Sequence, residues 1–192
     1  MQDKIQLIVG LGNPGPNYKA TRHNAGAWFV EMLAQDNGIE LKPEAKFGGR
    51  IGRIQIQQQE YWLLLPTTFM NRSGLSIKSM ANFYKIPPEA ILVAHDELDF
   101  PPGTIRFKQE GGHGGHNGLR DIIQQLQTKN FHRLRIGIGH PGHRDQVTDY
   151  VLNSPSKKDF ELIIDSIVAA QKVLPSFLVG EFQQAIRLLH NE

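Results

Sequence analysis

The chain has 192 residues, no cysteine and a formal charge of +2, with 40% hydrophobic residues. Such a length fits one domain that buries roughly 70% of the surface its unfolded form exposes. Without cysteine there is no disulfide framework, thiolate metal site or cysteine nucleophile, so any catalysis must use other groups, and a reducing cytosol fits this composition. Met1 to Lys4 lead directly into a short apolar strand with no signal-peptide core. No apolar run approaches the ~18 residues a membrane helix needs. The small net charge hides an asymmetry: residues 1–99 balance ten bases against ten acids, and residues 146–192 carry four against six. Residues 100–145 hold seven bases against three acids, with five of the eight histidines. That basic middle suits a polyanionic partner, although ordinary solvated charges give the same count.

In chain order, the apolar run of residues 5–12 ends in glycines and predicts a strand buried on both faces. A loop rich in Pro and Gly follows. From Asn24, Ala25, Trp28, Phe29 and Met32 fall at helical spacing, with Gly38 as the stop. Ile51, Ile54 and Ile56 alternate in a predicted hairpin over residues 50–65. After Pro66, residues 67–74 lead into a helix whose Ile77, Met80, Ala81 and Tyr84 share one face, closed by residues 86–88. Residues 90–95 predict a buried strand ending at Asp96, and residues 104–108 a further one. The glycine-dense residues 111–118 precede a helix with Leu119, Ile122, Ile123 and Leu126 in register, then a strand over residues 133–139. Two helices complete the chain, one opening at Ser154-Pro155 with Phe160, Ile163, Ile164 and Ile167 inward, the other carrying Phe182, Ile186 and Leu189.

Strands and helices mixed along the whole length, without linker or repeat, predict a single α/β domain over residues 1–192 with a mixed, largely parallel central sheet flanked by helices. Ligands of such sheets gather beyond the carboxyl ends of the strands. Asn13, Asn71 and Asp96 each follow a predicted strand, and Asn117 opens a helix after a glycine loop, so four loops can converge on one cleft.

Three clusters carry chemistry. Gly10-Leu-Gly12-Asn-Pro-Gly15 matches a dinucleotide fingerprint, but Pro14 and Pro16 interrupt it. The helix starts only near Asn24, and no strand-terminal acid follows at the ribose-binding spacing. The glycines either make a tight turn or aim Asn13 into a cleft. His23 sits just before a helix, where an imidazole tends to stay neutral as a general base requires, although a histidine there, taken alone, is more often a surface or capping residue. A carboxylate such as Asp96 beside it would fix its tautomer. His113 and His116 are three apart, yet flanking glycines deny them a rigid face and no nearby carboxylate has ligand spacing, which disfavours metal binding. That loop either caps the following helix or brings the amide of Asn117 close to a substrate. No nucleophile elbow is present, leaving water activated by histidine.

Two stretches, Tyr18-x-x-Thr21-Arg22-His23-Asn24-x-Gly26 through Glu31 and Gly112-x-x-x-His116-Asn117-Gly118-Leu119-Arg120-Asp121-Ile122, resemble the two signatures of bacterial-type peptidyl-tRNA hydrolases. Thr68-Phe69-Met70-Asn71-x-Ser73-Gly74 and His95-Asp96-Glu97-Leu98-Asp99 are similar to further motifs of that family, in the expected order. The resemblance implies a monomeric cytoplasmic enzyme that cleaves peptidyl-tRNA without metal or cofactor. It also implies roles: His23 as the base activating water, Asp96 as its orienting partner, and Asn13, Asn71 and Asn117 as amides holding peptide, water or oxyanion. Lys108 and Arg135 take positions used for tRNA phosphates, inside the basic segment found independently, and Tyr18, Phe69 and Met70 are expected to line the cleft. The alternative from another class is a non-catalytic RNA-binding protein on the same scaffold.

Overall fold

The computed structural model describes residues 4–190; Met1 to Asp3, part of the charged lead-in read above, and residues 191–192 lie outside it. Seven strands form one sheet: β1 (Leu7–Gly10), β2 (Lys42–Glu44), β3 (Gly49–Ile56), β4 (Gln59–Pro66), β5 (Ile91–Glu97), β6 (Ile105–Gln109) and β7 (His132–Gly137). Their order across the sheet is β2-β3-β4-β1-β5-β7-β6. The central four run parallel, and antiparallel neighbours close both edges. The helices are α1 (Ala25–Asp36), α2 (Ser73–Tyr84), α3 (Asn117–Leu126), α4 (Val147–Val151), α5 (Lys157–Leu178) and α6 (Phe182–His190). The largely parallel, mixed sheet is the architecture expected.

Alternation along the central strands divides the core in two. Ile8, Leu92, Ala94, Leu134 and Ile136 face α1, α5 and α6, while Leu7, Val9, Ile91, Val93 and Phe131 face α2 and α3. Apolar side chains on both faces explain why β1 and β5 read as continuous hydrophobic runs, the signature of strands covered on both sides. No helix among the described residues is long and apolar enough to cross a membrane.

Three details depart from the sequence reading. The hairpin turns through Gln57 and Gln58, both left-handed at φ 51° and 66°, a geometry that Asn-Gly ordinarily signals. β2 is a three-residue edge strand containing Pro43, and α4 is a five-residue helix; both are too short for periodicity to announce. The helix read from Asn24 starts at Ala25, because Arg22 to Asn24 form a 3-10 turn that holds His23.

Two glycines of the apparent dinucleotide fingerprint, Gly10 and Gly12, serve packing instead, and the third, Gly15, turns the chain at φ 99°. A Cβ on Gly10 would lie 2.4 Å from the Gly26 carbonyl oxygen, and one on Gly26 would lie 2.1 Å from that of Ala94. Helix α1 therefore rides directly on the backbone of β1 and β5, which brings His23 down to the end of β5. Gly26→Ala forces these surfaces apart. Overpacking of this kind costs roughly 1–3 kcal/mol, and thermal unfolding should show a fall in Tm of roughly 2–12 °C, at ~2–4 °C per kcal/mol for a domain of this size. An unchanged Tm would contradict the packing described.

Candidate active site

A cavity of about 540 Å³ opens beyond the carboxyl ends of the parallel strands, as the ligand rule for such sheets requires. Asn13, His23, Asn71, Asp96 and Asn117 all line it, together with Phe69, Met70, Lys108 and Arg135. Tyr18 is absent from the lining; it packs edge-on against Phe69, ring centroids 6.3 Å apart. Phe69 is 58% exposed, so the mouth of the cavity offers an uncovered apolar surface.

Asp96 is 4% exposed at the end of β5. Its Oδ2 accepts a hydrogen bond from His23 Nδ1 at 2.8 Å and its Oδ1 one from His116 Nε2 at 2.8 Å. Backbone geometry fixes where the protons lie. His116 Nδ1 accepts from the N–H groups of Gly118 and Leu119, at 3.1 and 3.3 Å, as the N-cap of α3. That nitrogen carries no proton, and the single ring hydrogen sits on Nε2, facing Asp96. His23 donates from Nδ1, so its neutral form has a lone pair on Nε2, which has no protein partner among the described residues. Beneath them, His95 donates from Nδ1 to the Asp96 carbonyl at 2.8 Å; burial, with His116 alongside, pushes its pKa down to about 3, and it stays neutral.

Burial by itself would lower the His23 pKa, but the Asp96 carboxylate, by charge and hydrogen bond together, outweighs it, and the net shift is upward from 6.5. Asp96 moves the other way: burial pushes its carboxyl up, yet the charge of His23, the presence of His116 and both hydrogen bonds hold it below the ordinary carboxylate range. An imidazole of raised pKa against a permanently charged acceptor is built to take up a proton and hold it briefly.

Three amides surround this pair. The Asn13 side chain accepts from the Met70 N–H through Oδ1 at 2.7 Å, so its Nδ2 is the free end. Asn117 Oδ1 accepts from Arg120 at 2.9 Å, which again leaves Nδ2 as the free donor. Asn71 is exposed in the 3-10 turn Met70–Arg72. That turn and the first turn of α2 both lie against α3: Asp121 accepts from the Gly74 N–H at 2.8 Å, and a Cβ on Gly118 would lie 2.6 Å from Met70 Sδ.

The basic rim comes from β6 and β7. Lys108 stands opposite Arg133, and Arg106 opposite Arg135, in the antiparallel register. Like charges placed directly opposite are unfavourable, and each arginine of β7 has a compensating partner. Arg135 Nε donates to Glu97 at 2.8 Å, which leaves its terminal nitrogens for a ligand. Arg133, 2% exposed, donates to the carbonyls of Gly111 and Gly112 and anchors the start of the glycine loop. Lys108 is exposed and lines the cavity.

The sequence reading missed His116 as a partner of Asp96, and missed Arg133, Glu97 and the α4 residues Val147 and Val151, which also line the cavity. It set the histidine pair aside because no carboxylate had ligand spacing. The fold corrects that reasoning: Asp96 arrives from another strand, and one ligand atom each from His23, Asp96 and His116 lie within 4.8 Å of one another. Two hydrogen bonds at 2.8 Å nevertheless engage all three, and a metal at ~2.0–2.2 Å from each ligand would have to displace the protons that make them. His113 has a separate job, its Nδ1 accepting from the Gly115 N–H at 2.9 Å to fold the loop.

A parallel α/β core whose strand ends converge on a buried His–Asp pair, free amide donors and a basic rim has the makings of a hydrolytic enzyme with a polyanionic substrate. The model of the family described as peptidyl-tRNA hydrolase matches residues 7–192. The chain is 57% identical to the peptidyl-tRNA hydrolase of Pseudomonas paraeruginosa over 189 residues, 98% of this chain and 97% of that one. It is 53% identical to that of Coxiella burnetii over 191 residues, covering 100% of both. The crystal structure of peptidyl-tRNA hydrolase from Acinetobacter baumannii superposes with a TM-score of 0.95 at 51% identity, over 99% of this chain and 96% of that one. The chain belongs to the peptidyl-tRNA hydrolase family.

In an NMR titration the His23 ring should change protonation above pH 6.5. In Asp96→Asn only the burial penalty remains and the midpoint should fall below that value; an unmoved midpoint would remove Asp96 as the cause.

Proposed function

We propose that this chain hydrolyses the ester joining a peptide, or an N-acyl amino acid, to the 3′ end of tRNA, with His23 as the general base. The observation that carries the reading is the pairing of His23 Nδ1 with the buried Asp96 carboxylate, which turns the basic Nε2 away from the protein. Water held at Nε2 attacks the ester carbonyl carbon, and its proton passes to His23. The imidazolium so formed is stabilised by Asp96. Charge develops on the carbonyl oxygen, where the free Nδ2 groups of Asn13 and Asn117 can donate, while Asn71 holds the peptide. The tetrahedral adduct then collapses, the bond from carbonyl carbon to ribose oxygen breaks, and His23 returns the proton to the leaving ribose hydroxyl. Phe69 and Met70 contact the peptide side, with Tyr18 behind Phe69, and Lys108 and Arg135 hold phosphates of the acceptor end.

This reaction needs no metal or cofactor, and one chain supplies every group, which suits a monomer; its substrate, a product of translation, puts the work in the cytoplasm. A non-catalytic RNA-binding protein on the same scaffold has no observation in its favour, since base, carboxylate and free amides stand together.

A general base contributes ~10² to 10⁴ in rate. Assayed on N-acylated aminoacyl-tRNA with a chelator present, His23→Ala should lose about that factor in kcat with KM nearly unchanged; a loss under tenfold would sink the assignment. Because the base works only when deprotonated and its pKa is raised, wild-type turnover should climb with pH through a midpoint above 6.5. Lys108→Ala and Arg135→Ala should instead raise KM and flatten its dependence on salt, since each removes a phosphate contact. Equal losses on a short N-acyl aminoacyl nucleotide would argue against the phosphate role.

A further inference from the structure

Asn24 takes no part in the chemistry proposed above, yet it is buried beside it at 6% exposure. It occupies the N-cap position of α1, where an asparagine side chain ordinarily accepts from the first-turn N–H groups. Here it makes no cap hydrogen bond. The side chain turns instead to the loop after β1: its Oδ1 accepts from the Asn13 N–H at 2.9 Å, and its Nδ2 donates to the Asn13 carbonyl at 3.0 Å. One planar amide thus pairs with both main-chain groups of a residue eleven positions away, as a neighbouring strand would.

The surroundings are shaped for this contact. A Cβ on Gly12 would lie 2.8 Å from Cγ and Nδ2 of Asn24, so the loop reaches the amide only as bare backbone. Asn13 lies in a segment without regular secondary structure, and no other hydrogen bond to its main chain is present among the described residues. With its backbone gripped, its side chain accepts from Met70 and its Nδ2 is left for the cavity. Asn24 also follows His23 in the same 3-10 turn, so the turn that carries the base carries the grip on Asn13.

We propose that Asn24 is a positioning residue that clamps the main chain of Asn13 and so fixes the Asn13 amide relative to His23. The inference rests on the functional reading above. Only an asparagine meets the requirement: aspartate keeps the acceptor and loses the donor, alanine loses both, and glutamine is one methylene too long. Small misplacement of a positioned group costs up to ~10²-fold in rate.

The test compares Asn24→Asp, Asn24→Ala and Asn13→Ala on N-acylated aminoacyl-tRNA, with the two Asn24 changes also made in the Asn13→Ala background. Asn24→Asp is nearly isosteric, and the helix N-terminus offsets part of the cost of burying its carboxylate; Tm is measured for both variants, and kcat is compared at a temperature where each is folded. Both Asn24 variants should lower kcat by roughly ten- to a hundredfold with KM unchanged; in Asn24→Ala, which adds no charge, the pH midpoint should also stay put, and the Asn13 N–H should lose its protection from hydrogen exchange. Neither change should lower kcat further once Asn13 is alanine, because residues acting as one unit are not additive. Losses that multiply in the double variants, or a kcat within twofold of wild type for both Asn24 variants, would overturn the clamp. Wild-type hydrolysis by Asn13→Ala would instead overturn the role given to Asn13, and the clamp with it.

Discussion

One buried negative charge organises this protein. Asp96 is nine-tenths or more enclosed, and an uncompensated carboxylate in such a place costs several kcal/mol. Its compensation comes from two imidazoles that reach it from segments 73 residues before it and 20 after. The end of β5, the 3-10 turn before α1 and the first turn of α3 must therefore meet at one point. His116 serves that meeting twice, since the ring that donates to Asp96 also caps α3 through its other nitrogen. The helix cannot move without disturbing the carboxylate, nor the carboxylate without exposing first-turn N–H groups of the helix. Because the cap occupies the second nitrogen of His116, the charge of Asp96 is left to answer a proton on His23 alone.

Close approach of backbone does the rest of the positioning. Gly26 lets α1 rest on β5, Gly74 brings the start of α2 against α3, Gly118 does the same for the Met70–Arg72 turn, and Gly12 admits the Asn24 amide. At each of these points a side chain would collide with main chain or with the site itself. Where these elements meet, the wall of the cavity can give little.

The helical and strand periodicities of α1, α2, α3, α5 and β5 were legible because both core faces demand apolar residues at regular positions. The ends of those strands pointed to Asn13, Asn71 and Asp96, and the motifs tied them to a family. What stayed hidden had physical reasons. His116 and Asp96 are joined only by the crossover that places β5 beside β7, and nothing in their spacing announces it. Arg133 looked like an ordinary strand residue, yet it alternates with Arg135 in residues 132–137, and that alternation marks a charged face that could have been read. α4 offers only Val147, Tyr150 and Val151 at helical spacing within five residues, too little for a pattern.

The dispersal of the site along the chain has a consequence for how the protein is born. While it is being synthesised this polypeptide is itself joined to a tRNA by the kind of bond its family cleaves. Its base at position 23 leaves the ribosome early, but Asp96 follows only with β5, and His116 and Asn117 only with α3. The parallel order β4-β1-β5-β7 also leaves β1 without a neighbour until β4 exists. A nascent chain that ends short of β5 carries the histidine without its carboxylate anchor, and one that ends short of α3 still lacks His116 and Asn117, so the site that could sever its own link is incomplete until most of its length has been made.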